Sequence, residues 1–146
     1  MKIYLSRVIT LFICCFSLNA CLTYGAAQLI QATAVIEGFY GALNEGEMNK
    51  AVSFYGDVLR KSVGDELLKE GLSTDVARLG AFVDYKVRSW SLRQGQKNER
   101  QLVLVCEVIY ELGRTQEVFT VSVGGEEQII SHEIESERRA GGQFDI

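Results

Sequence analysis

Three side chains in the second half of the chain are of types that together move protons: Tyr110, Glu117 and His132, the last being the only histidine. A carboxylate can orient an imidazole and a phenol beside them can donate, so the three are a candidate acid–base row at a pocket mouth. The row forms if two successive hairpins each have a two-residue loop, which sets the three residues side by side across three strands on one inward face. The same residues also read as a hydrogen-bonded row that closes one end of the core. A four-residue loop over 124–127 would set Phe119 opposite His132 and disperse them. Tyr40, Tyr55 and Tyr85 with Asp84 are types that polarise a ligand, yet at helical and strand spacing aromatics are ordinarily core, and Asp84 alternates opposite to Tyr85. Trp90 beside Arg88 reads as an outward ring that stacks on a partner or lies under the arginine stem. Cys106 sits in an apolar file, an inert core thiol rather than a nucleophile. One histidine without a cysteine cluster gives no metal site, and the sequence holds neither a glycine-rich phosphate loop nor a G-x-S-x-G elbow. No catalytic residue, metal or cofactor is assigned.

The elements that must position these residues divide the chain in two. Leu29, Ala32, Ile36, Phe39 or Tyr40, and Leu43 recur at three and four and stop at Asn44-Glu45-Gly46, which predicts a helix. Met48, Val52, Tyr55, Val58 and Leu59 predict a second. Ser62-Val63-Gly64-Asp65 resembles a helix start, and Leu68, Leu72, Val76 and Leu79 carry a third helix to a glycine cap at Gly80. From Phe82 the period falls to two. Leu102, Leu104, Cys106, Val108 and Tyr110 share an inward face; Val103, Val105, Glu107, Ile109 and Glu111 share the outward one. A hairpin with Gly113 first in its turn pairs Val108 with Phe119, Cys106 with Val121 and Leu104 with Val123. A second at Gly124-Gly125 leads to Ile130, His132 and Ile134 on the inward face. Proline is absent, so glycines and capping residues must end these elements.

The expected fold is α+β: three N-terminal helices packed on a curved four-stranded antiparallel sheet over residues 27–134, with a polar C-terminal tail over 135–146. The order of elements resembles the nuclear transport factor 2-like, cystatin-like cone folds. The residues carrying the likeness are Phe39-Tyr40-x-Ala42-Leu43 with Gly46 after it, Leu79-Gly80 before the sheet, and the alternating strands. That resemblance implies a sheet curving around a long helix with a pocket between. The superfamily includes isomerases, dehydratases, binding proteins and bacterial lipoproteins, so it does not choose a function.

The N-terminus has the build of a secretory signal over residues 1–20: Lys2 and Arg7, the apolar run Val8 to Leu18, and Ala20 before a cut. Leu18-Asn19-Ala20-Cys21 resembles the lipobox of bacterial lipoproteins. The resemblance implies that Cys21 becomes the lipid-carrying N-terminus of a short tether, 21–26, and that Leu22, standing where an aspartate favours inner-membrane retention, sends the protein to the outer membrane facing the periplasm. Ordinary cleavage after Ala20, an uncut anchor and a cytosolic apolar helix are the competing readings. The apolar run is short against the 18 or more residues of a spanning helix.

Loss of Lys2 and Arg7 leaves 13 basic against 19 acidic residues, a formal charge of about −6. With no basic cluster longer than Arg138-Arg139, nucleic acid is excluded as a partner. The processed chain keeps Cys21 and Cys106, so Cys106 is either free or bonded to Cys21. Val103, Val105, Ile109 and Val118 form an outward apolar stripe that is costly to leave wet, a candidate interface for a second copy or an envelope protein. The expectation is a membrane-anchored, non-enzymatic interaction module of the bacterial envelope; the alternative is a small-molecule carrier or sensor using the pocket.

Overall fold

The computed structural model describes residues 25–96 and 99–136. The signal-like segment, Cys21 and the chain after Ser136 lie outside the described residues. Helix α1 occupies 25–44, and Ala32, Ile36, Phe39, Tyr40 and Leu43 are its buried stripe. It ends in a Schellman motif: Gly46, at φ 72°, donates to the Leu43 carbonyl and Glu47 to that of Ala42.

The stretch expected as a second helix is two, α2 (Met48–Ser53) and α3 (Asp57–Val63). Between them Gly56 donates to the Ile129 carbonyl while Ile129 donates to that of Phe54, and Tyr55 bridges Ile129 in parallel. These backbone groups pair with the sheet instead of closing helical turns. Among the described residues the helices therefore number four, not three. The last, α4 (Asp65–Leu79), starts at Gly64, φ 95°, not at Ser62, whose hydroxyl donates to the Leu59 carbonyl. It ends at Gly80, φ 80°, where any side chain would meet Glu111.

Strands β1 (Phe82–Gln94), β2 (Arg100–Tyr110), β3 (Gly113–Val123) and β4 (Ile129–Ser136) form one open antiparallel sheet in chain order. Leu102, Leu104, Cys106 and Val108 of β2 and Phe119, Val121 and Val123 of β3 are buried in one cluster with the α1 stripe. Each such side chain removed from water contributes ~1.5–3 kcal/mol. Facing was expected correctly but pairing was not: Leu104 lies opposite Phe119, Cys106 opposite Glu117 and Val108 opposite Thr115. The turn is at Glu111-Leu112, two residues earlier than expected, because Glu111 and Leu112 donate to the carbonyls of Ala81 and Leu79. An even slip keeps every side chain on its face.

Two irregularities do change faces. In β4 the pairing shifts between Thr120 and Val121, so Ile129, not Ile130, takes the buried place opposite Val121. In β1 it shifts between Val87 and Ser89, which turns Trp90 to the inward face opposite Leu104 rather than outward. Glu135 and Ser136, expected in the tail, pair with Gln116 and Thr115. No helix among the described residues is long and apolar enough to cross a membrane.

Candidate functional site

Glu117 projects from the middle of β3 into the core and is fully buried. A carboxylate there must be paired or it neutralises, and four donors from three further elements and its own strand surround it. Tyr40 of α1 donates to Oε2 at 2.6 Å, and His132 Nε2 of β4 meets the same oxygen at 2.7 Å. Tyr110 of β2 and Thr115 of β3 donate to Oε1, each at 2.7 Å. Beyond the histidine, the Tyr55 hydroxyl lies 2.9 Å from Nδ1. Tyr55 is there because the α2–α3 break bridges the start of β4.

Burial pushes the Glu117 carboxyl up, but the hydrogen bond and charge of His132, with the Tyr40 and Thr115 hydrogen bonds, outweigh it and hold the group below its ordinary value. Tyr40, Tyr55 and Tyr110 are all raised, first by burial and then by the Glu117 charge, so these phenols keep their protons. An ionised carboxylate only accepts, so Nε2 carries a hydrogen. In the neutral ring Tyr55 then donates to Nδ1, giving the order phenol, imidazole, carboxylate; in the protonated ring the Tyr55 oxygen accepts.

Tyr110, Glu117 and His132 are thus brought together, through a register different from the one expected. Phe119 does lie opposite His132, but the row does not disperse, since Glu117 and His132 reach each other diagonally. Tyr40, Tyr55 and Thr115 were missed as members. Thr115 stands two positions from Glu117 and so shares its face, and Tyr40 is a phenol on a buried stripe that requires a polar partner. Tyr85 and Asp84 stay outside: the Tyr85 hydroxyl approaches Glu37 at 3.5 Å, and Asp84 accepts from the Tyr85 amide. Burial first, then the Glu117 charge, pushes the Cys106 thiol up to about 12.

The space between α1 and the sheet is filled by rings, with Tyr40 stacked on Phe82 at 4.1 Å and edge-on to Phe119 at 6.0 Å. Access to the network comes from the side, through a groove of about 410 Å³ between α4 and β4 lined by Leu68, Leu72, Asp75 and Arg78 with Tyr55 and His132. A larger recess of about 590 Å³, at the loop joining β3 to β4, contains no member of the network. Both carboxylate oxygens are saturated, so only the Tyr55–His132 end can meet a ligand. No three metal-ligating side chains cluster among the described residues.

On the other face of the sheet Val103, Val105, Ile109 and Val118 are half-buried, with Val105 directly opposite Val118. Beside them Glu107 accepts from Arg88 and, at 3.4 Å, from Arg114. No protein-family model matches the chain, and no curated protein matches it.

Proposed function

We propose that this chain is an exported bacterial lipoprotein, cleaved after Ala20 and lipidated on Cys21, whose nuclear transport factor 2-like, cone-like domain is a non-enzymatic interaction module of the envelope, held at the outer membrane and facing the periplasm. The observation that carries the interaction reading is the contrast between the two faces of the sheet. The inward face is filled by aromatic rings and a saturated carboxylate. The outward face leaves a half-open valine patch, Val103, Val105 and Val118, beside the charged Arg88–Glu107–Arg114 set. An apolar centre with a polar rim suits a second copy of the chain or an envelope protein.

Native mass spectrometry of the protein extracted gently from its host's membranes tests this. The expected species is a dimer or a complex with a second protein. Val105→Lys, at a half-buried position on the outward face, is expected to dissociate it into folded monomers, with folding read by circular dichroism. A strict monomer with no co-purifying protein overturns the reading. One observation favours the small-molecule alternative, the groove that reaches Tyr55 and His132; a small mass released on denaturation would decide for it.

A further inference from the structure

Trp90 and Leu92 close the inward face of β1 opposite Leu104 and Leu102, which are fully buried, yet they themselves remain 43% and 42% exposed. The start of α1 lies against the indole, since a Cβ at Gly25 would sit 3.1 Å from its Cη2. Helix α1 runs antiparallel to β1, since the Asn44 side chain both donates to and accepts from the Phe82 backbone at 3.0 Å. The start of α1 and the β1–β2 hairpin tip therefore share one end of the domain, and Arg93 and Arg100 are exposed there with Glu99.

Cys21 precedes Gly25 by four positions, and four residues of extended chain reach at most about 14 Å. We infer that Trp90 and Leu92 dock on the bilayer surface that holds the Cys21 lipid, with the exposed Arg93 toward the phosphates. The inference rests on the lipidation reading. A partly exposed indole is the amphipathic group that settles at headgroup depth, and since the lipid itself holds the chain, this contact sets how the domain sits on the bilayer. Docking by this end directs the β2–β3 turn at Glu111-Leu112 away from the membrane and leaves the outward valine patch clear for a partner.

Trp90 is the only tryptophan, so its emission reports this contact alone. The full chain, purified from its host's membranes, is reconstituted into phosphatidylethanolamine–phosphatidylglycerol vesicles carrying a nitroxide at headgroup depth, and its intact mass reads the Cys21 lipid separately. The expected result is a lipidated mass with loss of most Trp90 emission, and Leu92→Asp, equally lipidated, recovering most of it. A lipidated protein whose emission is unchanged overturns the docking and leaves the lipoprotein reading standing. Quenching equal in Leu92→Asp and the parent also overturns it, since proximity alone would then explain the signal. A mass without lipid overturns the lipoprotein reading and the docking with it.

Discussion

Phe119 lies flat on the His132 imidazole, with centroids 4.2 Å apart and planes 13° from parallel, and the two are cross-strand partners on β3 and β4. Phe39 of α1 meets the same imidazole edge-on at 5.6 Å. Apolar rings thus hold the plane of the histidine, and its two nitrogens have one direction each, toward Glu117 and toward Tyr55. The network is pinned by packing as much as by its own hydrogen bonds, and it ties α1, the α2–α3 link and three strands into one unit.

Glu117→Gln preserves shape and removes the charge. Its amide nitrogen can face Tyr110 and Thr115, whose hydroxyl oxygens then accept, while its oxygen still accepts from Tyr40 and His132. What is lost is the charge that strengthens these bonds, and a hydrogen bond to a charged group contributes roughly 1.5–3 kcal/mol against about 1 for a neutral one. The expected outcome is a stability from urea unfolding lowered by about 2 kcal/mol with an unchanged slope. A loss under ~1 kcal/mol would mean that the carboxylate does not organise the core.

The same group sets an acid limit. Its folded pKa lies below the ordinary 4.5, so as pH falls the unfolded chain takes up that proton first. The Glu117 contribution is complete above the unfolded value and is lost as pH falls through the folded one. Glu47 and Asp65 are also lowered, by hydrogen bonds from Lys50 and Arg60 respectively, but both carboxylates reach solvent and their effect is screened by salt. At high salt the parent midpoint is expected to decline below 4.5, and Glu117→Gln to decline less. Identical acid slopes in the two proteins would assign the limit to other groups.

The faces of β2 and β3 were legible because strict alternation survives an even slip in pairing. The slip itself was not legible: Gly113 is a strong local turn signal, whereas the amides of Glu111 and Leu112 answer to carbonyls at Ala81 and Leu79, some thirty residues away. The bulges that turn Trp90 inward and set Ile129 rather than Ile130 in the core leave no mark on composition. Tyr110, Glu117 and His132 were readable as a set because all three break an apolar file. Tyr40 and Tyr55 were read with the core because each partner, Glu117 or His132, lies 77 positions away along the chain.

Two glycines of α1 separate propensity from packing. A Cβ at Gly41 meets nothing within 4 Å, whereas one at Gly38 would come 2.6 Å from the Phe54 ring. Gly41→Ala is expected to stabilise by ~0.5–1 kcal/mol through helix propensity alone. In Gly38→Ala the same gain is overtaken by overpacking of ~1–3 kcal/mol, so the midpoints should move in opposite directions. Equal gains at both sites would show that Phe54 is free to leave α1.

Cys106 is fully buried and its thiol is raised to about 12, by burial first and the Glu117 charge second. The thiolate is the nucleophile, so at about pH 8, near the ordinary thiol range, both access and ionisation are denied in the folded state. Under the proposed cleavage and lipidation at Cys21, Cys106 is the sole free thiol. A maleimide or disulfide reagent is expected to leave the folded protein unlabelled while modifying one thiol promptly in denaturant. For a domain of ~5 kcal/mol the folded rate should fall by about 10³ or more, in step with the unfolded fraction, and Glu117→Gln should raise it in proportion to its lost stability. Fast labelling without denaturant would place the thiol outside the core. No labelling even when unfolded, restored by a reductant, would establish instead the Cys21–Cys106 disulfide, and with it an N-terminus that carries no thioether lipid.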